Sequence, residues 1–165
     1  MFTSCNNDEF HILSPPGIYD YEGRLFCACF SRPQAGKPIP SGYISFLPVG
    51  HYKYHEVPLT WNEARKTCSL EGSHLAVLNS EAEARLLASI IPGDKIAWIG
   101  VHDFFQDGEW MTIFDQTTGS AGFNKWVPNE PNGGTNENCG VITKSDGKMG
   151  SYFCPKELTF ICELD

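Results

Sequence analysis

Apolar and polar residues alternate along this chain with two different periods. From His51 onward Tyr52 and Tyr54 alternate with polar neighbours, the two-residue period of a strand with one buried face. Thr60-Trp61-Asn62-Glu63 then supplies a Thr-x-x-Glu capping box, which predicts a helix starting at Trp61 and stopping near Gly72. A second box, Ser80-Glu81-Ala82-Glu83, opens a helix whose Leu86, Leu87, Ile90 and Ile91 share one apolar face before Pro92-Gly93 ends it. Beyond Lys95 the apolar runs are short and turn-punctuated, with strand-like pieces at 97–101, 108–113, 140–143 and 159–163. Helices ahead of most strands predict an α+β domain of two helices and antiparallel strands, not alternating βαβ units. Residues 115–138 have no regular period; loops of that length are usually functional or disordered, and Trp126 favours an ordered one.

The first part of the chain is different. Ser14-Pro15-Pro16-Gly17 and the run from Arg32 to Gly42 punctuate residues 1–50 with Pro and Gly, so this segment is expected to be an extension, with a short strand or hairpin at 19–30. Residues 51–165 are expected to be the folded domain, and 165 residues suffice for one sizeable core. Twelve Lys and Arg against twenty Asp and Glu give a net charge of −8, and the basic residues form no stripe. That balance opposes nucleic acid and anionic membranes as partners and suits hydroxyl-rich ligands or a divalent cation. No apolar run approaches the roughly 18 residues of a membrane span. The opening lacks the basic and apolar regions of a signal peptide, so the chain reads as a mature form.

Seven cysteines without a CxxC pair point to disulfides, and hence to a secreted protein in an oxidising compartment. The five histidines lack the HExxH spacing of a zinc site. Cys5, Cys27 and Cys29 with His11 allow a zinc reading, but a disulfide of Cys5 with Cys27 or Cys29 is favoured. The leftover cysteine would then stay free or link two chains in a homodimer. No GxSxG, phosphate loop or Cys-His arrangement suggests an enzyme.

The polar stretch EPNGGTNENC, from Glu130 to Cys139, remains open on composition alone: a solvated Pro-Gly turn, or a ligand-binding loop. Trp98, Trp110 and Trp126 are expected in the core, not as a sugar-stacking platform, and Asp103 and Asp107 as solvated loop acids.

Four separated motifs carry a resemblance. Trp98-Ile99-Gly100, Gly108-Glu109-Trp110, Glu130-Pro131-Asn132 and Phe160-Ile161-Cys162-Glu163 are similar to the WIG, GEW, EPN and FICE motifs of C-type lectin carbohydrate-recognition domains. The runs Pro58 to Arg65 and Glu71 to Ala76 further resemble insect hemolymph lipopolysaccharide-binding lectins and immulectins. The resemblance implies bridges Cys68–Cys162 and Cys139–Cys154, which suit a loop-rich fold. It also implies a cis Glu130-Pro131 bond and a calcium ion that holds hydroxyls of mannose-type sugars.

Its calcium ligands map to Glu130, Asn132 and Glu137. The WND tripeptide that normally completes the set falls on Met149-Gly150-Ser151, which leaves Ser151 as the remaining donor and predicts weakened affinity. An auxiliary calcium site would use Asp103, Asp107 and Asn138. The implied function is a non-enzymatic, secreted glycan- or lipopolysaccharide-binding protein of innate immunity. The altered tripeptide favours the alternative, a calcium-independent module for a protein, an amphiphile or ice.

Overall fold

The computed structural model describes residues 38–164. The expected pairing among Cys5, Cys27 and Cys29 lies outside the described residues. The described chain belongs to a compact unit, Ile39–Asp165. It therefore reaches back past the expected start at His51, because Ile44–Phe46 (β1) pairs antiparallel with Gly50–Leu59 (β2).

Thr60 caps helix α1 (Trp61–Leu70) with the full reciprocal box: its hydroxyl accepts from the Glu63 N–H, and the Glu63 carboxylate accepts from the Thr60 N–H. The short strand β3 (His74–Leu75) follows, then α2 (Glu81–Ile90). Here only half of the expected box forms. Ser80 accepts from the Glu83 N–H, but the Glu83 carboxylate turns inward, accepting from the Asn79 N–H at 2.7 Å and from the Tyr52 hydroxyl. Glu83 is fully buried, so a neutral donor in the core has outcompeted the cap backbone for it.

Strands β4 (Ile96–His102) and β5 (Met111–Thr112), the single-turn helix α3 (Thr118–Ala121), and strands β6 (Cys139–Thr143), β7 (Met149–Tyr152) and β8 (Leu158–Leu164) complete the fold. The sheet order is β1-β2-β8-β4-β6-β7, with β3 added to β8 and β5 to β4. Most pairs are antiparallel as expected, but β4 and β8 run parallel, with Ala97 opposite Thr159 and Trp98 opposite Phe160. The sheet is mixed because the last strand inserts between β2 and β4 and can oppose only one of them.

Two apolar clusters fill the interior. Leu87 and Ile91 meet Ile99, Ile142 and Ile161 in one. Trp61, Trp98, Val141 and Phe160 surround Cys68, Cys139 and Cys162 in the other. Trp98 and Trp110 are buried, and Trp126 packs edge-on against Trp110 at 4.8 Å, so all three serve the core as expected. Cys68–Cys162 and Cys139–Cys154 are bridged, with Cα separations of 5.4 and 5.2 Å. Their sequence separations of 94 and 15 residues correspond to about 4.7 and about 3 kcal/mol of loop entropy removed from the unfolded chain.

Candidate functional site

The long loop is sewn to β7 at its base. The Val127 N–H donates to the Met149 carbonyl at 2.9 Å, and the Met149 N–H donates to the Lys125 carbonyl at 2.9 Å. Met149 itself is fully buried, so at this position it anchors the loop as an apolar core residue. The Glu130-Pro131 bond is cis.

Above that base the expected residues converge. One Glu130 oxygen accepts from the Asn132 amide at 2.7 Å; the other accepts from both the Ser151 N–H, at 2.7 Å, and its hydroxyl. The Ser151 hydroxyl also lies 3.3 Å from a Glu137 carboxylate oxygen. It has a single proton, so it serves one carboxylate at a time, and the shorter Glu130 contact takes it. Among the described residues neither carboxylate has a basic partner. Two acids thus share one neutral hydroxyl, an arrangement that a cation would relieve.

Gly133 and Gly150 shape this cluster. A Cβ on Gly133 would fall 2.2 Å from the Glu137 Cβ and 2.4 Å from a Glu137 carboxylate oxygen, so only glycine lets Glu137 fold across the loop. At Gly150 a Cβ would meet Val141 at 3.4 Å and Glu130 Cγ at 4.0 Å, ordinary packing distances that admit a Cβ. The resemblance puts Gly133 at a position that often completes the auxiliary calcium site; its steric role beside Glu137 had only the Gly-Gly pair directly after EPN as a signal.

Asp103 corrects an expectation. It is 3% exposed and not a solvated loop acid. One of its oxygens accepts from the Gly108 N–H at 2.9 Å, and burial pushes its carboxyl above the ordinary range. Its other oxygen and the Asn138 Oδ1 are buried without a hydrogen-bond partner among the described residues. The Asp103 N–H donates to the Asn138 carbonyl at 3.2 Å, so the two residues are neighbours. Asp107 is exposed, as expected, and its carboxylate reaches toward Gly134 in the turn that precedes Glu137. Buried acceptors left empty are costly, and a pair of them beside an acid is an oxygen-rich place for a hard cation.

A third grouping fails on chemistry. His55, Glu71 and Cys162 lie close together, but the Cys162 sulfur is in the bridge to Cys68 and offers no thiolate.

The Lectin C-type domain profile matches residues 57–164. The chain belongs to the C-type lectin domain family. It is 38% identical over 144 residues to a hemolymph lipopolysaccharide-binding protein of Periplaneta americana, a match covering 81% of this chain and 56% of that protein. The chain thus spans little more than half the length of this relative. Among solved structures it is similar to the cow C-type carbohydrate-recognition domain of CD23, solved in the presence of GlcNAc2Man3 oligosaccharide. The TM-score there is 0.67 at 28% identity, over 76% of this chain and 94% of that one. A calcium-independent type II antifreeze protein shares the fold with a TM-score of 0.68 at 24% identity, over 76% of this chain and 92% of the other. This C-type lectin domain carries the family's two bridges, and no helix among its described residues is long and apolar enough to cross a membrane.

Proposed function

We propose that this chain is a secreted C-type lectin that binds microbial or cell-surface glycans, mannose-type sugars and lipopolysaccharide among them, as a recognition protein of innate immunity. The observation that carries the reading is the pair of acids, Glu130 and Glu137, brought onto the Ser151 hydroxyl with no basic partner among the described residues. Two carboxylates, the Asn132 amide and the Ser151 hydroxyl offer up to six oxygens, the lower end of what calcium takes. These four residues would hold the ion, which supplies open coordination positions for two sugar hydroxyls. Glu130 and Asn132 orient the sugar through an acceptor and a donor set side by side. Ser151 keeps Glu130 aimed at the ion position through its N–H. With two carboxylates where the family motif has three, affinity belongs in the weak extracellular range of about 10⁻⁴ to 10⁻³ M.

Asp103, Asp107 and Asn138 form the auxiliary position. Support comes from the two unpartnered buried oxygens of Asp103 and Asn138.

One observation favours the calcium-independent alternative, in which the same loop surface meets a protein, an amphiphile or ice. Glu130 already accepts three hydrogen bonds from Asn132 and Ser151, so it is satisfied without an ion. Calorimetric titration of calcium into the wild type and into Glu137→Gln separates the two. The first reading predicts millimolar-range binding that the substitution weakens; no calcium heat in either protein would leave the alternative.

A further inference from the structure

Away from the Glu130 loop, a cleft of about 360 Å³ opens between α1 and the end of β4, lined by Trp61, Asn62, Arg65, Ser73, His102 and Phe104 among others. Its walls are aromatic and fixed. Phe104 stacks on the His102 ring at 4.5 Å and meets Trp61 edge-on at 5.4 Å, while Trp61 is tied by its indole N–H to the Ile99 carbonyl at 2.9 Å. Yet Phe104 remains 48% exposed and the next residue, Phe105, 77%. Phe104, held against the buried His102 and Trp61 rings but half in solvent, has no covering partner among the described residues.

The cleft also carries an uncompensated charge. Arg65 points its Nε and Nη2 only at the Asn62 amide oxygen, at 3.3 and 3.1 Å, whereas Arg85, Lys53, Lys125 and Lys148 are ion-paired. No carboxylate lines the cleft among the described residues. The acids that act on His102, Asp103 and Asp115, are not among its lining residues. A guanidinium without a carboxylate selects an anion and matches phosphate or carboxylate with paired N–H donors. Asn62, Ser69 and Ser73 make the rest of that wall polar, which suits a hydroxylated ring better than an acyl chain. On the other side of Trp61 and Phe104 lies a second hollow of about 330 Å³, closed by Cys154 and Pro155 and mostly apolar.

We propose that this cleft is a second ligand site that takes an anionic sugar ring, its phosphate or carboxylate on Arg65 and its face against Phe104, with the apolar hollow receiving a substituent of the same molecule. The proposal rests on the glycan-binding reading only for the choice of a sugar. The same anionic ring could be free or lipid-borne, and the two are distinguished by an acyl arm.

The test is an NMR titration of the isotopically labelled full chain in chelator, which silences the calcium-bridged site. The probes are glucosamine, glucosamine 6-phosphate and N-octanoylglucosamine 6-phosphate. The phosphate should produce binding that glucosamine lacks, with shifts centred on Trp61, Arg65, His102 and Phe104. Arg65→Gln should weaken it about tenfold, the scale of a lost charge-assisted contact. Phe104→Ala should weaken it severalfold while the spectrum stays that of a folded protein. Tighter binding of the octanoyl compound assigns a lipid-borne sugar with its chain in the apolar hollow; equal binding assigns a free sugar phosphate on Arg65 and overturns the role of the hollow. Shifts confined to Glu130–Ser151, no difference between glucosamine and its phosphate, or full affinity in Arg65→Gln would overturn it. Loss of mannose binding with calcium, alongside intact phosphate-sugar binding in chelator, would sink the calcium reading and leave this one standing.

Discussion

Gly150→Asn with Ser151→Asp returns to β7 the amide and the acid that the family motif carries, and the structure sets what that double substitution does. At position 150 the new Cβ meets Val141 and Val127 methyls at 3.4 and 3.9 Å, and the backbone there is not left-handed, so the Cβ of Asn enters without strain. At position 151 the change is electrostatic. Glu130 loses a hydroxyl donor, and a third carboxylate joins two others within hydrogen-bonding reach. Like charges about 4 Å apart repel by about 1 kcal/mol in water and about 4 kcal/mol near a protein surface. The calcium-free variant should therefore be less stable than the wild type by an amount in that interval. Calcium should offset that loss. With 10 mM calcium and a wild-type Kd of about 1 mM, binding stabilises by about 1.4 kcal/mol; a variant Kd of about 10 μM raises this to about 4.1 kcal/mol. The difference, about 2.7 kcal/mol, corresponds to roughly 10 °C in Tm for a domain of this size. Thermal unfolding with calcium and with chelator reads both effects. A variant whose Tm responds to calcium no more than the wild type does would refute the assignment of positions 150 and 151 to the ion site.

Three further outcomes follow from other parts of the molecule. Gly133→Ala must displace Glu137, because the added methyl overlaps its Cβ, and calorimetry should read at least a tenfold loss of calcium affinity with little change in calcium-free stability. Tyr52→Phe removes the hydroxyl that donates to the buried Glu83, and urea unfolding should record a loss of about 1–3 kcal/mol. Burial holds the imidazoles of His55 and His102 below their ordinary value of 6.5. The unfolded chain thus binds the extra protons, so stability is lost as pH falls through about 6.5, and His102→Phe should flatten that slope in unfolding measurements at pH 5 to 8.

Much of the fold was legible because it is written locally. The Thr60 box announces α1 in four residues, and Leu86, Leu87, Ile90 and Ile91 fix a buried helix face without any partner. What escaped depends on distant residues. The Glu83 side chain left its cap for Tyr52, which is 31 residues away, and β8 found its place between β2 and β4 only once the chain had closed. Strand β7 was hidden because Met149-Gly150-Ser151-Tyr152 has no alternation; its partners on β6 and in the long loop define it. In the site, Glu130, Asn132, Glu137 and Ser151 were nameable from motif position, but their convergence on one hydroxyl was not. Nor was the burial of Asp103, which reads in sequence as any acid in a loop.

On the proposed function the Glu130 cluster reads sugar through calcium. Binding of the full chain to immobilised mannan, measured with calcium, with chelator, and with calcium restored, tests that most directly. Binding that disappears in chelator and returns with excess calcium is the predicted result; neutral mannan held equally well in chelator would contradict it.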